Sequence, residues 1–228
     1  MCFSTTASFT AAALLFPAGI YASKIAEAKD RQLLPLAVIP IGFSIQQSFE
    51  GLVWLNLDHA DLVRVGALGF FGFSHGIWPA WPAFAVWVQE DRPWARKILI
   101  AMLLFGCFFG LSLYGPFWRY PDWLTVEISH GSIQYQTQLL YDRIFPRDVT
   151  RLIYLLMVVG PACLSKFPQL RVLGGLVALS MIVTYLFFNY AFVSVWCFFA
   201  AVLSLYLIYV LRSVSLQKDP RLQRVGTE

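Results

Sequence analysis

The hydrophobic residues of this chain fall into seven long runs separated by shorter polar segments. A helix that crosses a bilayer needs about 17–25 mostly apolar residues. The runs occupy residues 8–27, 33–57, 63–89, 95–115, 149–165, 172–190 and 192–212. The pattern therefore predicts an all-α membrane protein, a bundle of seven transmembrane helices. Pro79 and Pro82 lie inside the third run and predict a kink there, because neither can donate a backbone hydrogen bond.

Composition agrees with this pattern. Of the 228 residues, 58% are hydrophobic and only 13% are charged, whereas soluble domains carry about 25% charged residues. A water-soluble domain of this length could not bury so much apolar surface in one core. The expected partner is the lipid bilayer. Nucleic acid is not an expected partner, since the basic residues are spread through short loops instead of forming one basic surface.

The distribution of Lys and Arg predicts the orientation. Twelve of the 17 basic residues lie in the loops after the first, third and fifth runs or near the C-terminus. Basic residues of short loops concentrate on the cytoplasmic side of a membrane. We therefore expect the N-terminus outside and the C-terminus in the cytoplasm of the plasma (inner) membrane. The domains are a transmembrane domain, residues 1–212, and a polar cytoplasmic tail, residues 213–228.

The long loop 116–148 has a pattern of its own. Residues on either side of His130-Gly131 pair symmetrically, and apolar side chains alternate with polar ones, as a hairpin with a two-residue turn requires. The predicted pairs are Ser129 with Ser132, Ile128 with Ile133, Glu127 with Gln134 and Val126 with Tyr135. The loop is therefore predicted to form an outer β-hairpin that covers the mouth of the bundle or lies at the membrane interface.

Polar residues inside the apolar runs are the candidates for function. Glu50 lies in the second run, and Gln46 and Gln47 precede it by one helical turn, so the three can share one face. A carboxylate at such a depth is costly and normally faces the bundle interior together with a polar partner. The alternative is that these three residues only hold helices together through hydrogen bonds.

His75 lies in the middle of the third run, close in depth to Gln46. A lone buried histidine is more often a hydrogen-bonded packing residue than a ligand or base, but a histidine near Glu50 could move protons or bind a metal. Arg151 and Tyr154 share a face of the fifth helix, where Arg151 either pairs with Glu50 or extends to the interface.

The last two runs contribute further polar residues in their outer halves. Tyr185, Asn189, Ser194 and Cys197 all fall there. Ser194 and Cys197 belong to a series of small residues at helical spacing, which close helix packing explains well. Asn189 is retained as a candidate for ligand binding.

Known chemical motifs identify no cofactor. No Lys lies in the middle of a run, since Lys24 and Lys97 stand near the ends of theirs, so a retinal Schiff base has no anchor inside the membrane. A single histidine within the runs supports neither a bis-histidine haem nor a multi-histidine zinc site. Cys2 is a separate hypothesis, because removal of Met1 would expose an amine and a thiol able to act as nucleophile and base or to chelate a metal.

Several short motifs resemble one family. They are Met1-Cys2-Phe3-Ser4, Gln46-Gln47-x-x-Glu50-Gly51-x-x-Trp54, His75-x-x-Trp78-Pro79, Val159-Gly160-Pro161 and Phe192-Val193-Ser194-Val195-Trp196. They are similar to those of an uncharacterised domain-of-unknown-function family of small bacterial multi-spanning membrane proteins that begin Met-Cys-Phe-Ser. The resemblance implies a membrane protein without an assigned activity. It adds weight to Cys2 and Trp196, and to the Gln46, Gln47, Glu50 and His75 group, whose positions match the motifs.

Three functions remain open from the sequence. The first is binding of a small or lipidic molecule, as a sensor, carrier or binding protein, in an outward-facing polar pocket. The predicted pocket residues are Gln46, Gln47, Glu50, His75, Arg151, Tyr154, Asn189 and Trp196. The second is an intramembrane enzyme, possibly metal-dependent, that uses Glu50 and His75 with Cys2. The third is a structural subunit of an assembly.

Overall fold

The computed structural model describes residues 4–218, and the side chains of residues 4–214. The chain is mostly helical. In order, the main elements are α1 (Thr5–Lys29), α2 (Leu34–Ala37), α3 (Ile39–Leu55), α4 (Ala60–Phe71), α5 (Trp81–Trp87), α6 (Pro93–Tyr114), α7 (Pro116–Arg119), β1 (Leu124–Ser129), β2 (Ser132–Thr137), α8 (Arg147–Leu164), α9 (Pro168–Phe187), α10 (Phe192–Ser204) and α11 (Tyr206–Lys218). Cys2 and the end of the predicted tail lie outside the described residues.

Five helices of the described part are long and apolar enough to cross a bilayer, which indicates a membrane protein. They are Thr5–Lys29, Arg31–Leu55, Pro93–Arg119, Pro168–Phe187 and Asn189–Val214. The third and fifth predicted runs are also helical, but they are not among these five, because one is interrupted and the other is more charged. The third run is divided between α4 and α5, and α8 carries three charged residues, Arg147, Asp148 and Arg151, near its start.

The third run changes its helical geometry between α4 and α5. Residues Gly72–Ile77 form a π-helix, in which the amide of Trp78 donates to the carbonyl of Phe73 at 3.0 Å. Pro79 lacks the amide that would bond the carbonyl of His75 four residues earlier. The wider π turn accommodates this loss, and so the predicted kink is present as a break that begins before the prolines.

Helix α6 packs directly on this irregular segment. A Cβ atom added at Gly106 would lie 2.3 Å from the carbonyl oxygen of Pro79, and one added at Gly110 would lie 2.7 Å from that of Gly76. Both distances are far below a normal contact, so only glycine permits this approach. The backbone of α6 at Gly106 and Gly110 therefore packs directly against the irregular backbone of the third run.

Large apolar side chains are exposed on the outside of the bundle, and a few polar side chains are buried among the apolar ones inside it. Helix α3 contacts α1, α4 and α10, while α8 packs between α5 and α9, and α11 returns to α1. On the outside, Leu111 is 71% exposed and Phe187 is 70% exposed. Inside, the α3 side chains Gln46, Gln47 and Glu50 are completely buried. An exposed surface this rich in large apolar side chains suits a hydrocarbon surrounding rather than water.

The predicted hairpin is present with the predicted register. Strands β1 and β2 are antiparallel, with Ser129 opposite Ser132, Val126 opposite Tyr135 and the ladder extending to Leu124 opposite Thr137. His130 and Gly131 have φ values of +49° and +71°. Positive φ at both turn positions is the geometry of a two-residue type I′ turn, whose twist matches that of the strands.

The hairpin is packed on one end of the bundle. Ile133 is completely buried, and the ring of Tyr135 lies 5.1 Å from both Phe70 and Phe71. Ile128, by contrast, is 46% exposed. We call this end the hairpin end and the opposite end, which contains the turn between α5 and α6, the far end.

At the far end, an ion pair between Glu90 and Arg92 stabilises the turn between α5 and α6. Glu90 is 1% exposed, and its carboxylate accepts hydrogen bonds from the Arg92 guanidinium at 2.7 and 2.8 Å and from the amides of Asp91 and Arg92. The same guanidinium donates to the carbonyl of Leu164 at the end of α8. The hydrogen bonds from Arg92 lower the pKa of Glu90 to about 2 even though burial opposes the charge. The turn is thereby joined to α8.

Candidate functional site

A cavity of about 190 Å³ lies beneath strand β2 at the hairpin end. Helices α8 and α10, the π-helix and the turn before α10 form its other walls. The polar and aromatic residues in these walls include Ser74, His75, Gln134, Tyr135, Arg147, Thr150, Arg151, Tyr154, Asn189, Ser194, Trp196 and Cys197. Five of the eight residues predicted from the sequence are among them. These are His75, Arg151, Tyr154, Asn189 and Trp196.

Helix α8 supplies the charged wall. Arg147, Thr150, Arg151 and Tyr154 follow each other at helical spacing, so one face of the helix presents all four to the cavity. The guanidinium of Arg151 donates to Asp148 at 3.1 Å and lies 4.5 Å above the centre of the Phe192 ring. Arg151 therefore belongs to the cavity wall, held by an ion pair and a cation–π contact.

Arg147 was not among the predicted residues, although it precedes Arg151 by one helical turn. Its guanidinium donates to Asp142 Oδ1 at 3.1 Å and to the Thr137 carbonyl at 2.6 Å. Burial raises the pKa of Asp142, but the hydrogen bonds from Arg147 and from the amide of Leu139 outweigh burial and lower it. Arg147 thus connects the end of β2 with the start of α8.

The π-helix supplies a hydrogen-bonded group on the opposite side. The Nδ1 atom of His75 lies 3.1 Å from the hydroxyl of Ser74, and the hydroxyl of Tyr154 donates to the Ser74 carbonyl. The imidazole packs 4.5 Å from the ring of Phe71 and is 8% exposed. The irregular helix therefore presents a histidine whose orientation is fixed from α4 and α8 together.

Glu50 lies behind the cavity wall and not in it. Its Oε1 atom accepts a hydrogen bond of 2.5 Å from the hydroxyl of Ser194, which does line the cavity. The sequence pattern predicts that Ser194 and Cys197 are packing residues. Their small side chains do allow α10 to approach α3, and the same closeness puts both residues between the cavity and the buried carboxylate.

The two glutamines also lie behind the wall, in different surroundings. Gln46 Oε1 accepts a hydrogen bond of 2.7 Å from the indole of Trp78. Neither amide atom of Gln47 has a hydrogen-bond partner within residues 4–214. Gln46, Gln47 and Glu50 are all completely buried on this helix, but none of them is a lining residue of the cavity.

An aromatic pair forms the floor of the cavity. The rings of Tyr154 and Trp196 meet edge to face at 5.5 Å, and the Trp196 indole donates to the carbonyl of Val177 at 3.3 Å. Beyond this pair lies a second, almost wholly apolar cavity of about 100 Å³, which we call the inner slot. Val158 and Ala200, each one helical turn beyond Tyr154 and Trp196, line it. The cavity and the inner slot are therefore stacked along α8 and α10.

Fold and site together define a class: a membrane protein whose helical bundle encloses a polar cavity beneath a β-hairpin. A family model described as a family of unknown function, DUF6629, matches residues 1–221. The chain belongs to this family, which confirms the resemblance seen in its motifs. Neither a curated protein nor a solved structure matches the chain.

Proposed function

We propose that the protein binds a small or lipidic molecule in the cavity at the hairpin end, as a sensor, carrier or binding protein of the plasma (inner) membrane. The observation that carries this proposal is the cavity itself, which is lined by Arg151, His75 and the buried Thr150 and lies beneath strand β2 of the hairpin. Binding sites for small molecules typically combine apolar walls with a few fixed polar groups. Tyr154, Trp196 and Phe192 supply the apolar part here, and Arg151, His75 and Asn189 the polar part.

The proposal includes seven membrane spans. Helix α8 is too charged to count as a span by composition, yet Arg147 and Arg151 line the cavity, and Asp148, which lies outside it, belongs to the first turn of the helix. Its opposite face carries Leu152 and Leu156, which are 55% and 56% exposed. A helix with its polar groups turned inward meets lipid only with apolar side chains. The divided helix α4–α5 follows the same rule, because its irregular backbone is covered by α6.

In this proposal Glu50, Gln46 and Gln47 support the site from behind. A buried carboxylate is stable only when polar groups meet it, and Ser194 is such a group for Glu50. By holding Ser194 in place, Glu50 fixes one position of the cavity wall. Gln46 fixes Trp78 in the same manner, on the side of the inner slot.

Filling the cavity tests the proposal. Val193 lines the cavity, so Val193→Trp should expel a bound molecule, whereas Val202→Trp, on the 46% exposed side of α10, should not. The measurement is native mass spectrometry of full-length protein purified in mild detergent. A co-purifying molecule on wild type and the Val202 variant but absent from the Val193 variant supports binding. The same molecule on all three proteins, or none on any, contradicts it.

The proposal also includes an orientation, with the hairpin end outside the cell and the far end in the cytoplasm. Cysteine labelling tests it. In a cysteine-free variant, His130→Cys at the exposed turn of the hairpin should react with a membrane-impermeant thiol reagent added to intact cells. A cysteine placed at Asp91, in the far-end turn, should react only after the membrane is opened. Reversed labelling of the two sites would mean that the topology is inverted.

A further inference from the structure

The charged residues that line the cavity are all basic. Arg147 and Arg151 both line it, while no Asp or Glu does so within the described part of the chain. Asp142 and Asp148 pair with the two arginines from outside the cavity. The side chains of Arg147 and Arg151 are 39% and 21% exposed, so water screens their charges less than it would at an open surface. Such a wall attracts an anion and repels a cation.

Arg151 retains capacity to bind that anion. A guanidinium carries five donor hydrogens, and within residues 4–214 the one hydrogen bond recorded for Arg151 goes to Asp148. Its position above the Phe192 ring restrains the long side chain before any ligand arrives. Arg147 already donates hydrogen bonds to Asp142 and Thr137, so it would attract the anion by its charge and not by hydrogen bonds of its own.

Thr150 is the second, independent feature. Its side chain is 5% exposed and lines the cavity, and its hydroxyl has no hydrogen-bond partner in the described structure. A buried hydroxyl without a partner destabilises the structure, because it has lost its hydrogen bonds to water without gaining others. An oxygen of a bound carboxylate or phosphate would accept a hydrogen bond from this group while the same anion pairs with Arg151.

The inner slot suits the remainder of such a ligand. It lies directly beyond the Tyr154–Trp196 pair and is lined by apolar side chains such as Val158, Leu173 and Ala200. A ligand with an anionic group on one side of the pair and a hydrocarbon chain on the other would fill both spaces. The pair would have to turn aside for the chain to pass. This movement breaks one hydrogen bond from each ring, to Ser74 and to Val177, and shifts the contacts of the pair with the rings of His75 and Phe192.

From these observations we propose that the ligand is an anionic amphiphile with a single hydrocarbon chain. Its carboxylate or phosphate binds Arg151 and Thr150 in the cavity, and its chain enters the inner slot past Tyr154 and Trp196. This inference rests on the proposed function and adds to it the charge and the shape of the ligand. Fatty acids and lysophospholipids share this chemistry.

Direct binding to the full-length protein tests the charge. The probes are palmitate, lysophosphatidic acid and the neutral monopalmitoylglycerol, measured by native mass spectrometry in the same detergent. Wild type should bind one or both anionic probes at least about tenfold more tightly than the neutral one. Arg151→Gln should remove this preference by weakening anion binding about 10- to 100-fold, since a hydrogen bond to a charged group is lost. Arg143→Gln, the same charge change at an exposed position of the hairpin end, is the matched control and should have no effect.

The comparison of probes separates the two proposals. Equal binding of the neutral and anionic probes, or an Arg151 variant as tight as wild type, would overturn the anionic ligand while leaving a binding cavity. Failure of every probe to bind, together with the absence of any co-purifying molecule, would overturn the cavity function as well. A preference for palmitate would identify the headgroup as a carboxylate, and a preference for lysophosphatidic acid would identify it as a phosphate. Both results support the proposal.

Chain length tests the slot. Ala200→Leu narrows the inner slot, so it should weaken binding of palmitate about tenfold and leave binding of octanoate unchanged. Ala101→Leu makes the same change on the exposed side of α6 and serves as the control. If the Ala200 variant binds both chain lengths as wild type does, the hydrocarbon chain does not occupy the slot and this proposal is wrong.

Discussion

The cavity and the inner slot are built on the same two helices, yet their walls differ in kind. On α8, Arg147, Thr150 and Arg151 face the cavity, and the next turns place Val158 and Ala162 at the slot. The helix changes from polar to apolar within three turns. Because side chains four residues apart share a face, one helix can line two unlike spaces in succession. Polarity along the helix axis, and not a change of fold, separates the two regions.

Serine shows the same contrast on α10. Ser194 in the cavity wall donates to the carboxylate of Glu50, whereas Ser204 at the slot donates to the carbonyl of Ala201 in its own helix. The first bond joins two helices by satisfying a buried side-chain oxygen of Glu50, and the second only satisfies a hydroxyl within its own helix. Residue type alone therefore does not reveal the role, since the partner decides it.

The largest effect is expected where the hairpin is fixed. Tyr135→Ala removes the ring that lies against Phe70 and Phe71 and should destabilise the hairpin end by about 2–4 kcal/mol. Amides of β1 and β2 should then exchange hydrogen much faster than those of the far end. Ile128→Ala, at a half-exposed position of the same hairpin, should change exchange little. Uniform exchange across both ends would mean that the hairpin and the bundle unfold together.

A matched pair of serine variants tests the contrast on α10. Ser194→Ala leaves the carboxylate of Glu50 without one donor and should cost about 2 kcal/mol, or roughly 4–8 °C in Tm. Ser204→Ala should cost less than about 0.5 kcal/mol, because the carbonyl of Ala201 keeps its place in the helix. Thermal unfolding in detergent measures both. Equal losses would show that Ser194 serves packing alone.

Acidification should weaken the far end by a smaller amount. Since the pKa of Glu90 is lowered to about 2, its ion pair stabilises the folded chain above the ordinary value of 4.5, and this contribution is lost as the pH falls from about 4.5 toward 2. Glu90→Gln should make Tm less dependent on pH in this window. Asp142, whose pKa is also lowered, gives the hairpin end a dependence of the same sign that should persist in the variant. An unchanged pH profile for the Glu90 variant would contradict the assignment.

The smallest effect concerns the turn of the hairpin. His130 has a φ of +49°, a conformation that asparagine adopts more readily than histidine. His130→Asn should therefore stabilise the hairpin by less than about 0.5 kcal/mol, seen as slower hydrogen exchange in β1 and β2. His130→Val should act in the opposite direction, because a β-branched residue is strained at positive φ. Faster exchange in the asparagine variant would show that the contact between His130 and Tyr190 matters more than the turn.

The sequence by itself determined the features that depend on neighbours along the chain. Apolar runs predicted the helices, the alternation around His130-Gly131 predicted the hairpin and its register, and the prolines predicted the break in the third run. Each of these follows from local periodicity or from a missing backbone donor. The spacing of Arg151 and Tyr154 likewise placed both on one face of α8.

The tertiary structure decided which polar groups meet. Glu50 and Ser194 are 144 residues apart, and only the packing of α10 against α3 brings them within 2.5 Å. The same packing removes Glu50 from the cavity and puts Ser194 and Cys197 in its wall. The direction in which a helix face points depends on its neighbours, which helical spacing does not specify. For the same physical reason, the cavity and the inner slot beneath it emerge only from the assembled bundle.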